Sequence, residues 1–308
     1  MGGPMEIDVH QHIWTRPLVD ALEARSDLPF VRRCNGVTVL HSAGEHPYVI
    51  DLDCELPHRR AGLLREDRLD LALIAISSPI GIEALERTAA LDLIDAHLTG
   101  VDALPGGFAA WGPLAVRGAE PDDVDRLIAR GCVGVSLPAG ALAGVCALAG
   151  VAGLLRRIEA LGVPLFVHPG PGPMTDSGEL SWDEPFWWRA LTDYVAQMQA
   201  AWLTFASAGR REFPGLRVVF AMLAGGAPLL SERLAARGGP SVALGDRLSF
   251  YDTSSYGPVA IEAMAARVGV DQLLYGSDRP VVEPDACGPA RAAAANGDWL
   301  AAPVGIGA

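Results

Sequence analysis

Glu6-Ile7-Asp8-Val9-His10-Gln11-His12 is the stretch on which the fold turns. It is a short apolar run of strand length that ends in two histidines, where a doubly wound nucleotide-binding sheet would carry a Gly-rich phosphate loop. Seven further runs of strand length follow it: Leu71 to Ile76, Gly107 to Trp111, Val133 to Leu137, Pro164 to His168, Arg217 to Met222, Leu248 to Asp252 and Gln272 to Tyr275. Several are almost continuously hydrophobic, as strands buried on both faces must be. Segments of helical period alternate with them, at Ile82 to His97, Pro121 to Arg130, Val145 to Leu161, Trp187 to Glu212, Pro228 to Arg237, Pro258 to Val268 and around Ala286 to Ala295. Eight strands with helical crossovers predict an α/β fold of the (β/α)8 TIM barrel type, with the open doubly wound sheet as runner-up.

The chain of 308 residues suits one such barrel, and it is read as a single domain. Two connections are too long for simple crossovers and predict a distorted barrel. Residues 13–68 are expected to form an inserted subdomain or lid. A second insertion, Pro169 to Pro185, is rich in Pro and Gly and carries Asp176, Glu179 and Asp183.

Composition excludes several classes of function. Half of the residues are hydrophobic and a fifth charged, which rules out a disordered chain. With 24 Lys+Arg against 37 Asp+Glu the net charge is −13, so phosphate backbones and anionic lipid heads are repelled and nucleic acid is excluded as a partner. Cys34, Cys54, Cys132, Cys146 and Cys287 are odd in number and form no C-x-x-C pair, which predicts neither a disulfide framework nor a thiolate zinc site, and fits a reducing cytoplasm. The N-terminus lacks the basic and apolar regions of a secretory signal. The uncharged stretch Ala139 to Leu155 is a membrane candidate by length, yet its Gly and Ala content and the strand-like flanks argue for a loop feeding a buried helix. No membrane association is expected.

Strand side chains repeat every two positions, so His10 and His12 point to the same side at the end of the first strand, where a TIM barrel builds its active site. Alone, an H-x-H pair says little. Phe166-Val167-His168-Pro169-Gly170 ends the fifth run with a third histidine, and Gly276-Ser277-Asp278-Arg279-Pro280 follows the eighth with a carboxylate. Singly, His168 reads as a core histidine and Asp278 as a helix N-cap; jointly, three imidazoles and a carboxylate suit one divalent metal ion, Zn²⁺ first, with Mn²⁺ or Fe²⁺ as alternatives.

Along most of its length the chain also resembles the amidohydrolase superfamily, in particular its amidohydrolase-related branch, which is similar to aminocarboxymuconate-semialdehyde decarboxylase. The resemblance lies in Asp8-Val9-His10-Gln11-His12, Phe166-Val167-His168-Pro169, Phe213-Pro214-Gly215-Leu216-Arg217-Val218-Val219, Tyr251-Asp252-Thr253-Ser254 and Leu274-Tyr275-Gly276-Ser277-Asp278. It implies a distorted TIM barrel in which His10, His12, His168 and Asp278 bind a catalytic metal, and related barrels often dimerise, so a homodimer is an expectation. One position departs from the family. Its members carry a His after the sixth strand, and Met222 stands there instead, a thioether that transfers no proton. Met222 is read as filling an apolar pocket against the substrate; the competing reading is a binding protein that has lost turnover.

Further candidates at the barrel mouth are Trp182, Trp187, Trp188 and Arg189, followed by Tyr194 and Gln197, and then Ser255, Tyr256 and Arg279. Trp188 would stack on a planar small-molecule substrate, Arg189 and Arg279 would pair with its carboxylate, and Tyr256 would donate a hydrogen bond. The reading that follows is a metal-dependent hydrolase acting on a C–N or C–O bond of a small, carboxylated, cyclic or aromatic molecule. The ion would lower the pKa of its bound water to generate hydroxide, and Asp278 and His168 would lie at the reacting centre, with Asp278 as proton acceptor and later donor. Non-oxidative decarboxylation of a small aromatic or unsaturated acid is the second reading.

Overall fold

A computed structural model describes residues 3–173, 183–242, 244–284 and 288–301. Among the described residues eleven strands run in chain order: β1 Ile7–Gln11, β2 Phe30–Cys34, β3 Val37–His41, β4 Tyr48–Ile50, β5 Leu71–Ile74, β6 Phe108–Pro113, β7 Gly134–Pro138, β8 Leu165–His168, β9 Val218–Phe220, β10 Ser249–Asp252 and β11 Leu273–Leu274. Eight of them form one parallel sheet in the order β1-β5-β6-β7-β8-β9-β10-β11. The segment after β11 then returns to β1. Val9 N–H donates to the Tyr275 carbonyl at 2.8 Å, Asp278 N–H to His10 at 2.9 Å and His12 N–H to Arg279 at 2.6 Å, which brings the two edges together as a TIM barrel.

All eight predicted strands are present, with ends displaced by no more than two residues. β1, β7, β8, β9 and β10 are buried at every position, since a barrel strand has side chains on one face and helices on the other. Trp111 and Phe166 stack in the barrel interior with ring centroids 5.1 Å apart, and the Trp111 indole N–H donates to the Val9 carbonyl at 2.9 Å.

Helix boundaries differ more. The expected Ile82 to His97 helix is Arg87–Asp102, preceded by 3-10 turns at Ser78–Ile80 and Ile82–Ala84. Val145 to Leu161 is two helices, Val145–Gly150 and Ala152–Leu161, and Trp187 to Glu212 is divided into Trp188–Leu191, Asp193–Thr204, a π turn Phe205–Gly209 and Arg210–Glu212. Pro228 to Arg237 begins instead as a run of tight turns, Met222–Leu230, before helix Ser231–Ala236. The last helical segment is the 3-10 run Arg291–Leu300. Among the described residues no helix is long and apolar enough to cross a membrane.

Residues 13–68 hold helix Arg16–Glu23, an antiparallel sheet of β2, β3 and β4, and helix Pro57–Glu66. Two contacts seat this segment on the barrel. A Cβ at Gly100 would lie 1.9 Å from the Thr15 hydroxyl, so only glycine lets helix Arg87–Asp102 approach the exit of β1 this closely. Arg60, 3% exposed, pairs with Glu55 at 3.1 Å and donates to the Gln11 side chain at 2.7 Å, which ties helix Pro57–Glu66 to the end of β1. Of the second insertion, Asp176, Glu179 and Trp182 lie outside the described residues.

Candidate metal centre

His10 and His12 leave the end of β1, His168 ends β8, and Asp278 follows β11, so four side chains from three places in the sequence meet at one rim of the barrel. One ligand atom from each lies within 4.8 Å of every other. The Nε2 atoms of His10 and His12 are 3.1 Å apart, and Asp278 Oδ1 is 3.6 Å from the first and 3.2 Å from the second. The three rings stand nearly perpendicular to one another, with centroids 4.9 to 5.0 Å apart.

The outward-facing ring nitrogens decide which atoms face inward. His12 Nδ1 is 2.9 Å from the Ala75 carbonyl and His168 Nδ1 is 2.9 Å from the Pro169 carbonyl. A carbonyl only accepts, so both Nδ1 atoms carry a proton and both Nε2 atoms are left facing the centre of the site. His10 Nδ1 donates to Asp252 Oδ2 at 2.9 Å, while Asp252 Oδ1 accepts from Met222 N–H at 3.1 Å, Ser254 N–H at 2.9 Å and the Ser254 hydroxyl at 2.5 Å. The fully buried Asp252 is thereby held in place by β9 and β10. Three imidazole nitrogens and a carboxylate converge in a buried space, an arrangement that a cation between them satisfies once the rings are neutral. Two nitrogens about 2.1 Å from one ion at right angles stand about 3 Å apart, which matches the His10–His12 spacing. The donor set and spacing fit a divalent metal, and the outer acceptors are those that orient metal-bound imidazoles.

The electrostatics of the site favour positive charge. Burial opposes a charge on His10, but the Asp252 carboxylate outweighs it and raises the pKa to about 9. Burial, reinforced by the neighbouring His10 and His12, pushes His168 well below its ordinary value. Burial works against ionised Asp278, yet the hydrogen bond from His12 and the charge at His10 lower its pKa to about 2. The pocket accommodates a positive charge and keeps Asp278 ionised.

Local backbone geometry sharpens the site. Asp278 has φ +60° and Ser255 φ +63°, in the left-handed region that non-glycine residues avoid, and the Ser255 hydroxyl donates to Asp278 Oδ2 at 3.2 Å. Met222, Leu223, Ala224, Gly225 and Gly226 form a left-handed turn with φ between +49° and +72°. Helix Asp193–Thr204 braces this turn: the Gln199 side chain donates to the Gly225 carbonyl at 2.8 Å, and two residues earlier Gln197 accepts from Gly170 N–H at 2.8 Å beside His168.

The other expected ligand contacts are placed differently. Arg279 is only 6% exposed, and its two terminal nitrogens meet Asp67 and, at 2.6 Å, Glu283, so it bridges the end of β11 to residues 67 and 283. Arg189 is likewise engaged by the Gly44 carbonyl, Glu45 at 3.2 Å and Asp193 at 2.8 Å, and joins the segment after β8 to the 13–68 insertion. His46 reinforces that junction through the Glu184 carbonyl at 2.9 Å. Trp188 is 42% exposed beside Trp187, Tyr256 packs half-buried against the core, and Met222 is buried with its backbone on Asp252. Asp252 and Ser255 were given no role in the sequence reading of the metal site. Asp252 carried the signal that selected Asp278, a carboxylate ending an apolar strand run.

This fold has solved counterparts. It superposes on IDCase from Metarhizium anisopliae in its apo form with TM-score 0.71 and 18% identity, over 96% of this chain and 97% of that one. The 5-carboxyvanillate decarboxylase LigW from Sphingomonas paucimobilis matches with TM-score 0.63 and 18% identity, over 94% and 92%. The 5-carboxyvanillate decarboxylase from Novosphingobium aromaticivorans, solved with manganese and 4-hydroxy-3-methoxy-5-nitrobenzoic acid, matches with TM-score 0.64 and 17% identity, over 97% and 91%. No protein-family model and no curated protein matches the chain. At these identities the likeness establishes a shared fold, the one that the amidohydrolase resemblance implied.

Proposed function

We propose that this chain is a metal-dependent enzyme of the amidohydrolase superfamily that decarboxylates a small aromatic or unsaturated acid without oxidation. The observation that carries the proposal is the convergence of three imidazoles, from His10, His12 and His168, on the ionised Asp278. His10, His12, His168 and Asp278 would hold one divalent ion, Zn²⁺ or, as in the similar decarboxylase, Mn²⁺. When bound, the ion supplies Lewis acidity that orients substrate oxygens and stabilises negative charge developing on them.

The chain's own residues supply the rest. Asp252, Ala75 and Pro169 hold the three imidazoles against rotation, and Ser255 fixes the second oxygen of Asp278. Asp278, ionised at rest, would first take a proton from the substrate's hydroxyl group or from water and then pass it to the carbon that loses CO₂, where the electron pair left behind becomes the product C–H bond. Met222 adds no proton donor, so that duty falls on Asp278 or on the substrate's own hydroxyl group.

Hydrolysis of an amide or lactone, the leading expectation from sequence alone, becomes the second reading because similar solved folds carry decarboxylase names. It keeps one observation in its favour, since Asp278 is ionised and ready to accept a proton from water. Purified protein loaded with Mn²⁺ or Zn²⁺ is expected to release CO₂ from a member of a hydroxybenzoic-acid panel, and His12→Ala to abolish that release. Turnover of lactones or amides with no CO₂ from any acid would reverse the order, and undiminished activity after chelation would remove the metal from the account.

A further inference from the structure

Between the exit of β1 and helix Arg87–Asp102, buried polar atoms collect without partners. Neither ring nitrogen of His97 has a hydrogen-bond partner among the described residues, and the Trp14 indole N–H has none either; the two residues are 1% and 6% exposed. Leaving such groups unpaired costs about 1–3 kcal/mol each. Both residues line one small cavity of about 10 Å³, whose walls also include His12, Ala75 and Ser77. Burial, with smaller contributions from His12 and Arg130, lowers the His97 pKa to about 3. The neutral ring then offers one donor and one acceptor, and neither is met by protein.

We propose that this cavity holds one ordered water bound by His97 and Trp14, and that His97 acts through it as a positioning residue for His12. The volume is at the threshold for a single water, and the polar partners are the two to four that such a water needs. The water accepts from the Trp14 indole N–H and donates to the bare nitrogen of His97. Its second hydrogen goes to the Ala75 carbonyl, whose other lone pair already takes His12 Nδ1–H. That carbonyl is then fixed from both sides, and with it the ring that aims Nε2 at Asp278. Only this last step rests on the reading of His12 as a metal ligand.

Crystals of the full chain grown with a chelator are expected to show a water about 2.7–3.2 Å from His97 and Trp14. In His97→Leu the water is lost and the His12 ring turns off the Ala75 carbonyl, whereas His97→Gln keeps both. Calorimetric titration with Mn²⁺ should show about tenfold weaker binding for His97→Leu and near-wild-type binding for His97→Gln. If His97→Leu fails to fold, His97→Phe, which fills the cavity, takes its place. A dry cavity in the wild type, or a His97→Leu protein whose His12 ring is unmoved, overturns the proposal. Absence of Mn²⁺ binding by the wild type would overturn the metal reading separately, while the crystals still decide the water and the ring.

Discussion

Asp252 does for His10 what two backbone carbonyls do for His12 and His168, and it does so with a buried charge. Its Oδ1 accepts three hydrogen bonds and its Oδ2 faces His10, so Asp252→Asn would turn an amide NH₂ toward groups that are themselves donors. The expected outcome is a folded protein whose affinity for Mn²⁺ falls about 10- to 100-fold by calorimetry. An unchanged affinity would show that Asp252 serves the fold alone. The four inner residues were legible in sequence because each sits at or just beyond the end of an apolar strand run, where barrel geometry fixes its direction. The ion pairs of Arg189 and Arg279 are less legible. Each guanidinium pairs with one carboxylate four residues on, Asp193 and Glu283, and with one from distant sequence, Glu45 and Asp67, and only the distant half of each pairing is hidden from a local reading.

At the scale of elements, the left-handed turn Met222–Gly226 is the feature that sequence reading could not reach. Met, Leu and Ala disfavour positive φ by about 1–2 kcal/mol per residue, so their presence there predicts an ordinary strand end or helix. Packing against helix Asp193–Thr204 imposes the turn. A Cβ at Gly225 would lie 2.7 Å from the Val195 carbonyl, at φ +61°. Gly225→Ala is therefore expected to destabilise the protein by about 2 kcal/mol or more in urea unfolding, and Ala224→Gly, at φ +54°, to stabilise it by roughly 1 kcal/mol. Equal stability in the two variants would mean that the turn is not left-handed. The barrel strands were easier to read: their burial on both faces leaves a continuous apolar run, whereas the breaks in the helices depend on tertiary contacts.

Considered whole, the molecule is a parallel barrel whose mouth is assembled from distant loops, and its stability should report on that assembly. Glu83 is 1% exposed in the loop after β5, where burial raises its pKa from 4.5 to about 7 despite the hydrogen bond from Ser78. The folded state favours the protonated form, so this stabilisation is complete below pH 4.5 and is lost as pH rises through 7. Across that window the advantage of Glu83→Gln over the wild type should grow by roughly 3 kcal/mol in urea unfolding. A difference that stays flat with pH would contradict the buried carboxyl. The central claim, one divalent ion held by His10, His12, His168 and Asp278, is tested most directly by anomalous diffraction from crystals grown with Mn²⁺. The account predicts a single peak per chain, about 2.1–2.3 Å from the three Nε2 atoms and the Asp278 carboxylate. A peak at any other position, or none while the three imidazoles bond to one another, would contradict it.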